Sequence, residues 1–555
     1  MYSTKATFFI LSLGLLCSPL VCLGQEEGPS TTNKEPLALV WGRQVKMKDY
    51  VKGLRNATDS TFTPTAWGDQ GNGTYINPVL NADFSDPDVI RVGNTFYMVA
   101  SDFHFMGMQL LRSQDLMNWE YITQLYSRFE TPGWDTPENY ANGSWAPAIR
   151  YHDGKFFVYF CSPVDGLYMT SAPAPEGPWS DLIRLYEGAG WEDPCPFWDE
   201  DGQAYLGHSK VGAGPIIIHK MSPDGTELLD DGIEVYRGHV AEGTKFHKID
   251  RYYYLSIPEG GVGGGNQVIL RSASIYGPYD KKVVLEKGST KINGPHQGAL
   301  VDTEDGRWFF MHFQQTPVLG RVVHLQPVHW EEGWPVIGVD IDRNGIGEPV
   351  FCWEAPFKGT VPFKPISSDD FSSATLSPAW QFNHNPVSSA WSLTERKGFL
   401  TVHALKATNL RDARNTLTQK LFGYKGAITV TVDTKDMKDG GRCGLSVMGT
   451  MMWGLGAVVE GGKRHIVLEE VLNGEFARIP MKGSKVYLRF TYDAQAIKFQ
   501  YWYSTDGKTF QKIGEPFQNV YGNWKGVRPA IYCFNTKEDD GVAYFDDFKV
   551  EYDEK

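Results

Sequence analysis

Five times along the chain a short strand, a tight polar turn and an aromatic-rich second strand follow one another, and a repeat of this kind constrains the architecture before any single residue does. The units are DPDVIRVGNTFYMVAS from Asp86, APAIRYHDGKFFVYFCS from Ala146, DPCPFWDEDGQAYLGHS from Asp193, EGTKFHKIDRYYYLSIPE from Glu242 and HQGALVDTEDGRWFFMHF from His296. Their turns (VGN, HDG, DEDG, KID and TEDG) hold the glycine and aspartate that hairpin connections require. Successive starts lie 60, 47, 49 and 54 residues apart, close to the length of one four-stranded propeller blade. Helical periodicity is scarce here, so an all-β fold with a five-bladed β-propeller over 76–350 is expected.

The pattern stops after Glu348. PVFCWEAPFKGTVPFKPISSDDF has four prolines and no repeat unit, and 351–368 reads as a linker packed along the propeller. From 369 to 555, alternating segments such as GAITVTVDT, KVYLRFTYD, KFQYWYS and AYFDDFKVEY predict an antiparallel β-sandwich. Residues 25–75 show no comparable pattern and read as a partly ordered N-terminal extension. Before them, Lys5, the apolar run Phe8 to Leu16 and small residues before Gln25 read as a secretory signal peptide over 1–24. Cys17 and Cys22 follow Leu16 and Val21 rather than a small residue, which argues against a lipoprotein anchor, and no stretch reaches the roughly 20 apolar residues of a membrane span. The expected location is the periplasm or the cell exterior.

Cleavage would leave Cys161, Cys195, Cys352, Cys443 and Cys533, an odd number without metal-type spacing, so packing rather than disulfides or zinc must hold the fold. Loss of Lys5 with no acid takes the formal net charge from −13 to −14, a field that repels nucleic acid and favours a neutral partner.

In a propeller the first strand of each blade lines the central channel, so Asp86, Asp193, Glu242 and His296 should meet near one mouth, with Trp145 just before the remaining repeat. Asp-Pro pairs also start turns, but recurrence at one place in several blades points to a site. Three carboxyl groups in one partly desolvated cavity repel, and at least one must keep its proton. Glycosidic cleavage uses such a set: an acid that protonates the leaving oxygen and a carboxylate that activates water.

These segments, extended to NPVLNADFSDPDVIRVGNTFYMVAS, SWAPAIRYHDGKFFVYF, EDPCPFWDEDGQAYL, EGTKFHKIDRYYYLSIPEGG and LGRVVHLQPVHWEEGWPVIG, resemble glycoside hydrolase family 43 along nearly the whole propeller. The resemblance implies inverting chemistry with Asp86 as general base, Glu242 as general acid, and Asp193 raising the acid's pKa and orienting it. It implies that Arg321 reaches the sugar in the −1 subsite and that Trp145 lines the pocket. His296 matches a channel histidine that often binds calcium through water, although Pro295 and Gln297 replace the usual glycines. SDFHFMGMQLL, from Ser101, resembles a loop of exo-acting xylosidases and arabinofuranosidases, in which Phe103 and His104 would wall the −1 pocket. The sandwich resembles the concanavalin-like jelly roll of the same enzymes.

No cofactor is required by this chemistry. A structural Ca²⁺ could find oxygen ligands in the sandwich at Asp370 and Asp546, although paired acids are also common in surface turns. The expected activity is release of terminal α-L-arabinofuranosyl residues from arabinose- or xylose-containing plant polysaccharide or oligosaccharide, with β-D-xylosidase or dual activity as the alternative. A non-catalytic carbohydrate-binding propeller would need no such carboxyl set, and a sialidase would need an arginine cluster and a tyrosine nucleophile.

Overall fold

The computed structural model describes residues 37–40, 43–48, 68–292, 294–363, 365 and 367–552. The expected signal peptide lies outside them. Twenty strands form five antiparallel four-stranded sheets, each laid out in chain order. They begin with Ser85–Val92, Trp145–His152, Trp191–Trp198, Lys245–Ile249 and His296–Asp302, and these strands line a central channel. Hairpins whose inward residues are Val, Leu, Ile and Phe supply the blade-to-blade cores, as in blade 4 with Leu255, Ile257, Val268 and Leu270 all buried.

Two segments outside the repeats close the ring. Thr74–Ile76 pairs antiparallel with Cys352–Glu354, and Leu80 bridges to Val323 of the last blade. Asn77 locks the seam, its Nδ2 donating to the carbonyls of Leu325 and Val350 at 2.8 and 2.9 Å while its Oδ1 accepts from the Leu325 amide. This pairing straddles the boundary expected at residue 75 and puts a strand inside the expected linker. Partners so far apart in the chain leave no local pattern to read.

The C-terminal domain is a sandwich of two antiparallel sheets. Lys485–Asp493 shows why it forms: every second residue from Val486 to Tyr492 is buried, the period of a strand with one face on a core. Leu445, Leu455, Val430, Leu488, Phe499 and Phe545 fill the space between the sheets. The sandwich packs on blade 1, where the Met106 amide donates to Phe382 and Asn385 pairs with the Phe129 backbone. A second arm, Asn519 to Arg528, reaches blade 5: the amides of Tyr521 and Val527 donate to Pro317 and Val318, each at 2.8 Å. Among the described residues all five cysteines are free, and no helix is long and apolar enough to cross a membrane.

Candidate active site

The site starts from a backbone irregularity repeated in every blade. The first strands of blades 1, 2, 3 and 5 slip register near their starts, between Ser85 and Asp88, Trp145 and Ala148, Glu192 and Cys195, and His296 and Gly298. At these bulges Asp86, Ala146, Asp193 and Gln297 have φ of 53°, 38°, 56° and 49°, a region that non-glycine residues seldom enter. Blade 4 uses Gly243, φ 66°, where a Cβ would lie 2.5 Å from the Pro258 ring. Bulges re-aim side chains at barrel rims, and strain held at one point in four of the five blades marks the mouth of this channel as a functional surface.

Asp86 is buried. Its Oδ2 accepts from the hydroxyls of Ser85 and Ser101 at 2.9 and 2.6 Å, and its Oδ1 accepts from Arg321 Nη1. Arg321 Nη1 also donates to Ser85 Oγ at 2.8 Å. Asp193 Oδ2 accepts the Gly243 amide at 2.6 Å, which fixes this carboxyl beside the residue carrying Glu242. Glu242 is partly open to solvent, and its Oε1 stands 3.3 Å from Nε2 of the buried His296. Burial, and then the charges of Glu242 and Asp86, push the Asp193 carboxyl well above its usual range, with Lys245 pulling the other way.

A fourth carboxyl, unremarked in the sequence, joins them. Glu192 is 5 % exposed, and its Oε1 accepts the Ala213 amide at 3.1 Å. Burial first, and then Asp193, Glu242 and Asp86, raise it to about 9. Adjacency to Asp193 across a bulge was the available signal, since the bulge lets neighbouring side chains turn toward one cavity. Beneath the cluster, Lys245 Nζ donates to the Pro147 carbonyl at 2.8 Å and lies 3.8 Å from Asp88, itself held by Arg150. The channel floor is therefore cationic where its mouth is acidic.

Trp145 is partly exposed, its Nε1 donating to Ala141 at 2.7 Å and its ring edge-on to Phe103 at 6.4 Å. Phe103, 2 % exposed, backs the indole rather than forming an open wall. His104 corrects the sequence reading: its side chain has no exposed surface and cannot touch a sugar. Its Nε2 pairs with Asn383 at 2.7 Å, its Nδ1 accepts the Ala141 amide, and Phe105, Tyr140 and His384 stack around it. The sandwich covers this loop, so a residue that looked like pocket lining serves the domain interface. The sandwich also adds Trp524, φ 69°, over the Arg321 guanidinium at 5.1 Å, with Phe313 at 4.4 Å from the same group. No pattern in the propeller sequence could have announced it.

Both ring nitrogens of His296 are buried without a hydrogen-bond partner, which leaves room for water at the channel centre. A hard cation needs six or more oxygens, and among the described residues no three His, Cys, Asp or Glu side chains are grouped to hold one. In the sandwich, Asp370 accepts the Ser372 amide and Asp546 the Asp547 amide, while Asp369 accepts from Trp380 and Phe371. Asp370 lies close enough to Asp546 to help raise its carboxyl, after burial and Asp547, and no step below passes through a metal.

Comparison with known proteins places this geometry. The model described as Glycosyl hydrolases family 43 matches residues 75–335, and that described as Beta xylosidase C-terminal Concanavalin A-like domain matches 368–551. A protein of Xylanibacter ruminicola, provisionally named β-xylosidase, is 54% identical over 474 residues, covering 85% of this chain and 88% of its own. A β-xylosidase of Formosa agariphila is 36% identical over 547 residues, 88% of this chain and 92% of its own. A non-reducing end α-L-arabinofuranosidase of Bacteroides ovatus is 32% identical over 384 residues, 65% and 70% of the two chains. A propeller whose strained strand starts gather carboxyl groups at one mouth, joined to this sandwich and matched over nearly its whole length by such relatives, belongs to glycosyl hydrolases family 43.

Proposed function

We propose that this glycoside hydrolase is an exported, inverting exo-β-D-xylosidase that removes terminal xylose from xylan-derived chains. The reading rests above all on the four-carboxyl mouth, Asp86, Glu192, Asp193 and Glu242, with Asp193 tied to the Gly243 amide. Four such groups cannot all ionise in a shared cavity, and a proton retained there is available to a leaving oxygen. Asp86, ringed by two hydroxyls and a guanidinium, is kept an acceptor and takes a proton from attacking water. Glu242, the most open of the set, gives its proton to the departing glycosidic oxygen as the bond to the anomeric carbon breaks. Asp193, through the Gly243 amide, fixes the backbone next to Glu242.

The sugar follows from the relatives. Those with the higher identity and coverage are named β-xylosidases, whereas the arabinofuranosidase matches a shorter part of the chain, so the arabinofuranoside preference expected from sequence gives way to its alternative. Export is supported by the apolar run after Lys5 and the small residues before Gln25.

The test is turnover of 4-nitrophenyl β-D-xyloside and α-L-arabinofuranoside by the purified chain and by Asp86→Ala, with the anomer first released from xylobiose read by NMR. We expect xyloside turnover to exceed arabinofuranoside turnover, α-xylose to appear first, and the variant to lose activity by orders of magnitude. Preference for the arabinofuranoside would overturn the substrate, β-xylose the stereochemistry, and near-normal turnover by the variant the role of Asp86.

A further inference from the structure

Between the two domains lies a half-open cavity of about 270 Å³, with room for one sugar ring. The propeller contributes Glu138, Tyr140 and Asn142 from the loop between blades 1 and 2, and the sandwich contributes Arg411, Thr450 and Asn523. It adjoins the catalytic site through two short links. Asn523 precedes Trp524, which covers Arg321, and Ala141 between Tyr140 and Asn142 accepts the Trp145 indole N–H.

Arg411 is the cation of this lining, and it is unpaired among the described residues. Arg411 lies 5.1 Å from the Tyr140 ring centroid, and among the described residues its guanidinium has neither a hydrogen-bond acceptor nor a carboxylate within reach. Lys525, outside the lining and 3 % exposed, lies 3.5 Å from the same centroid, and burial, then the charges of Arg528 and Arg411, push its ammonium well below the usual range, so it adds little positive charge. Two acids also line the cavity: Glu470, raised above its usual range by burial, and Glu138. Glu470 accepts the amides of Met452, Leu472 and Asn473, Asp412 accepts from Thr408 and Asn409, and Glu138 stands in solvent at the rim. A half-buried guanidinium without an acceptor is costly to keep.

We propose that this interdomain pocket binds the carboxylate of a uronic acid carried on the leaving-group side of the xylan chain, with Arg411 as its partner. An exo-acting site takes the terminal sugar and the rest of the polymer leaves through the mouth, whose walls at Trp145 and Trp524 are joined in the chain to the pocket lining at Asn142 and Asn523. The charged substituent that such a polysaccharide presents is a carboxylate, and a planar guanidinium meets a carboxylate through two parallel hydrogen bonds. The Tyr140 ring offers an apolar face to the C–H side of the sugar. The inference rests on the xylosidase reading above.

The experiment compares kcat/KM for xylotetraose with that for xylotetraose carrying one glucuronic acid on the second or third unit from the non-reducing end. At low salt we expect at least one acidic substrate to be favoured by roughly tenfold, the worth of one charge-assisted pair. The advantage should vanish in Arg411→Gln and shrink with added salt, while 4-nitrophenyl β-D-xyloside turnover stays unchanged in both. An equal ratio in wild type and variant, or no acidic preference at all, overturns the proposal. Should Arg411→Gln fail to fold, the wild-type salt series decides alone, and a salt-independent ratio overturns it. Should the xyloside not be turned over, the reading beneath is at fault, and calorimetric binding of the acidic against the neutral tetraose still tests the pocket.

Discussion

Glu192→Gln offers a direct measure of how the carboxyl cluster is maintained. In the folded protein Glu192 titrates near 9 instead of its ordinary 4.5, chiefly because it is buried and then because Asp193, Glu242 and Asp86 surround it. Between those two values the folded state holds a proton that the unfolded chain has released, so stability falls as pH rises from 4.5 toward 9. Each pH unit in that window withdraws about 1.4 kcal/mol, or about 3 kcal/mol between pH 4.5 and 7. Glutamine keeps the shape and the acceptor for the Ala213 amide but has no proton to lose. The variant should match wild type near pH 4.5 and melt higher at pH 7, by on the order of 6 °C for a gain of that size. Thermal scans at matched rates across pH 4.5 to 8 provide the assay. A melting difference that is the same at every pH would mean that Glu192 ionises freely in the fold, and the account of the cluster would be wrong.

Three other outcomes follow from the geometry. Glu242→Gln should spare aryl xylosides with good leaving groups far more than xylobiose, because only the natural leaving oxygen needs a proton; equal losses in kcat/KM on both would count against the assignment. Trp524→Ala removes the ring above Arg321, and KM for xylobiose should rise roughly three- to tenfold with kcat little changed, the mark of lost substrate contact rather than lost chemistry. Lys420→Met leaves Asp102, fully buried between blade 1 and the sandwich, with Arg528 alone at 3.4 Å. Burial by itself would raise the Asp102 carboxyl, but Lys420 and Arg528 together hold it below its usual range. Removing one cation should cost about 3–5 kcal/mol, and a urea midpoint unchanged from wild type would show that the ion pair does not hold the domains.

The fold class was legible because each blade is made of hairpins, whose turns and alternating residues lie within a few positions of one another. The carboxyl residues at the repeat starts were legible for the same reason. The backbone that aims them was not. Positive φ at Asp86, Ala146, Asp193 and Gln297 falls on residues that give no glycine signal, and only the packed ring imposes it. Glu192 was passed over because its perturbation comes first from burial that only the packed ring imposes, and then from Asp193 beside it and Glu242 and Asp86 in other blades, and Trp524 because it comes from the sandwich. His104 was misplaced by a converse error: a polar residue in a loop beside the first blade reads as open to substrate unless the covering domain, through Asn383 and His384, is taken into account. The choice between two pentoses turns on where donors stand in space, and no spacing along the chain encodes it.

The seam at Asn77 also governs when this protein can exist. Thr74–Ile76 emerges early in synthesis, yet its partner Cys352–Glu354 emerges only after the last blade has been made. Ring closure is thus a contact of very long sequence separation, the kind that forms late because loop entropy opposes it. Until then Thr74–Ile76 lacks the strand it pairs with, and its exposed edge can pair with other chains. On the export proposed above, the chain would cross the membrane as an extended thread, and both halves of the seam would reach the far side before the ring closes.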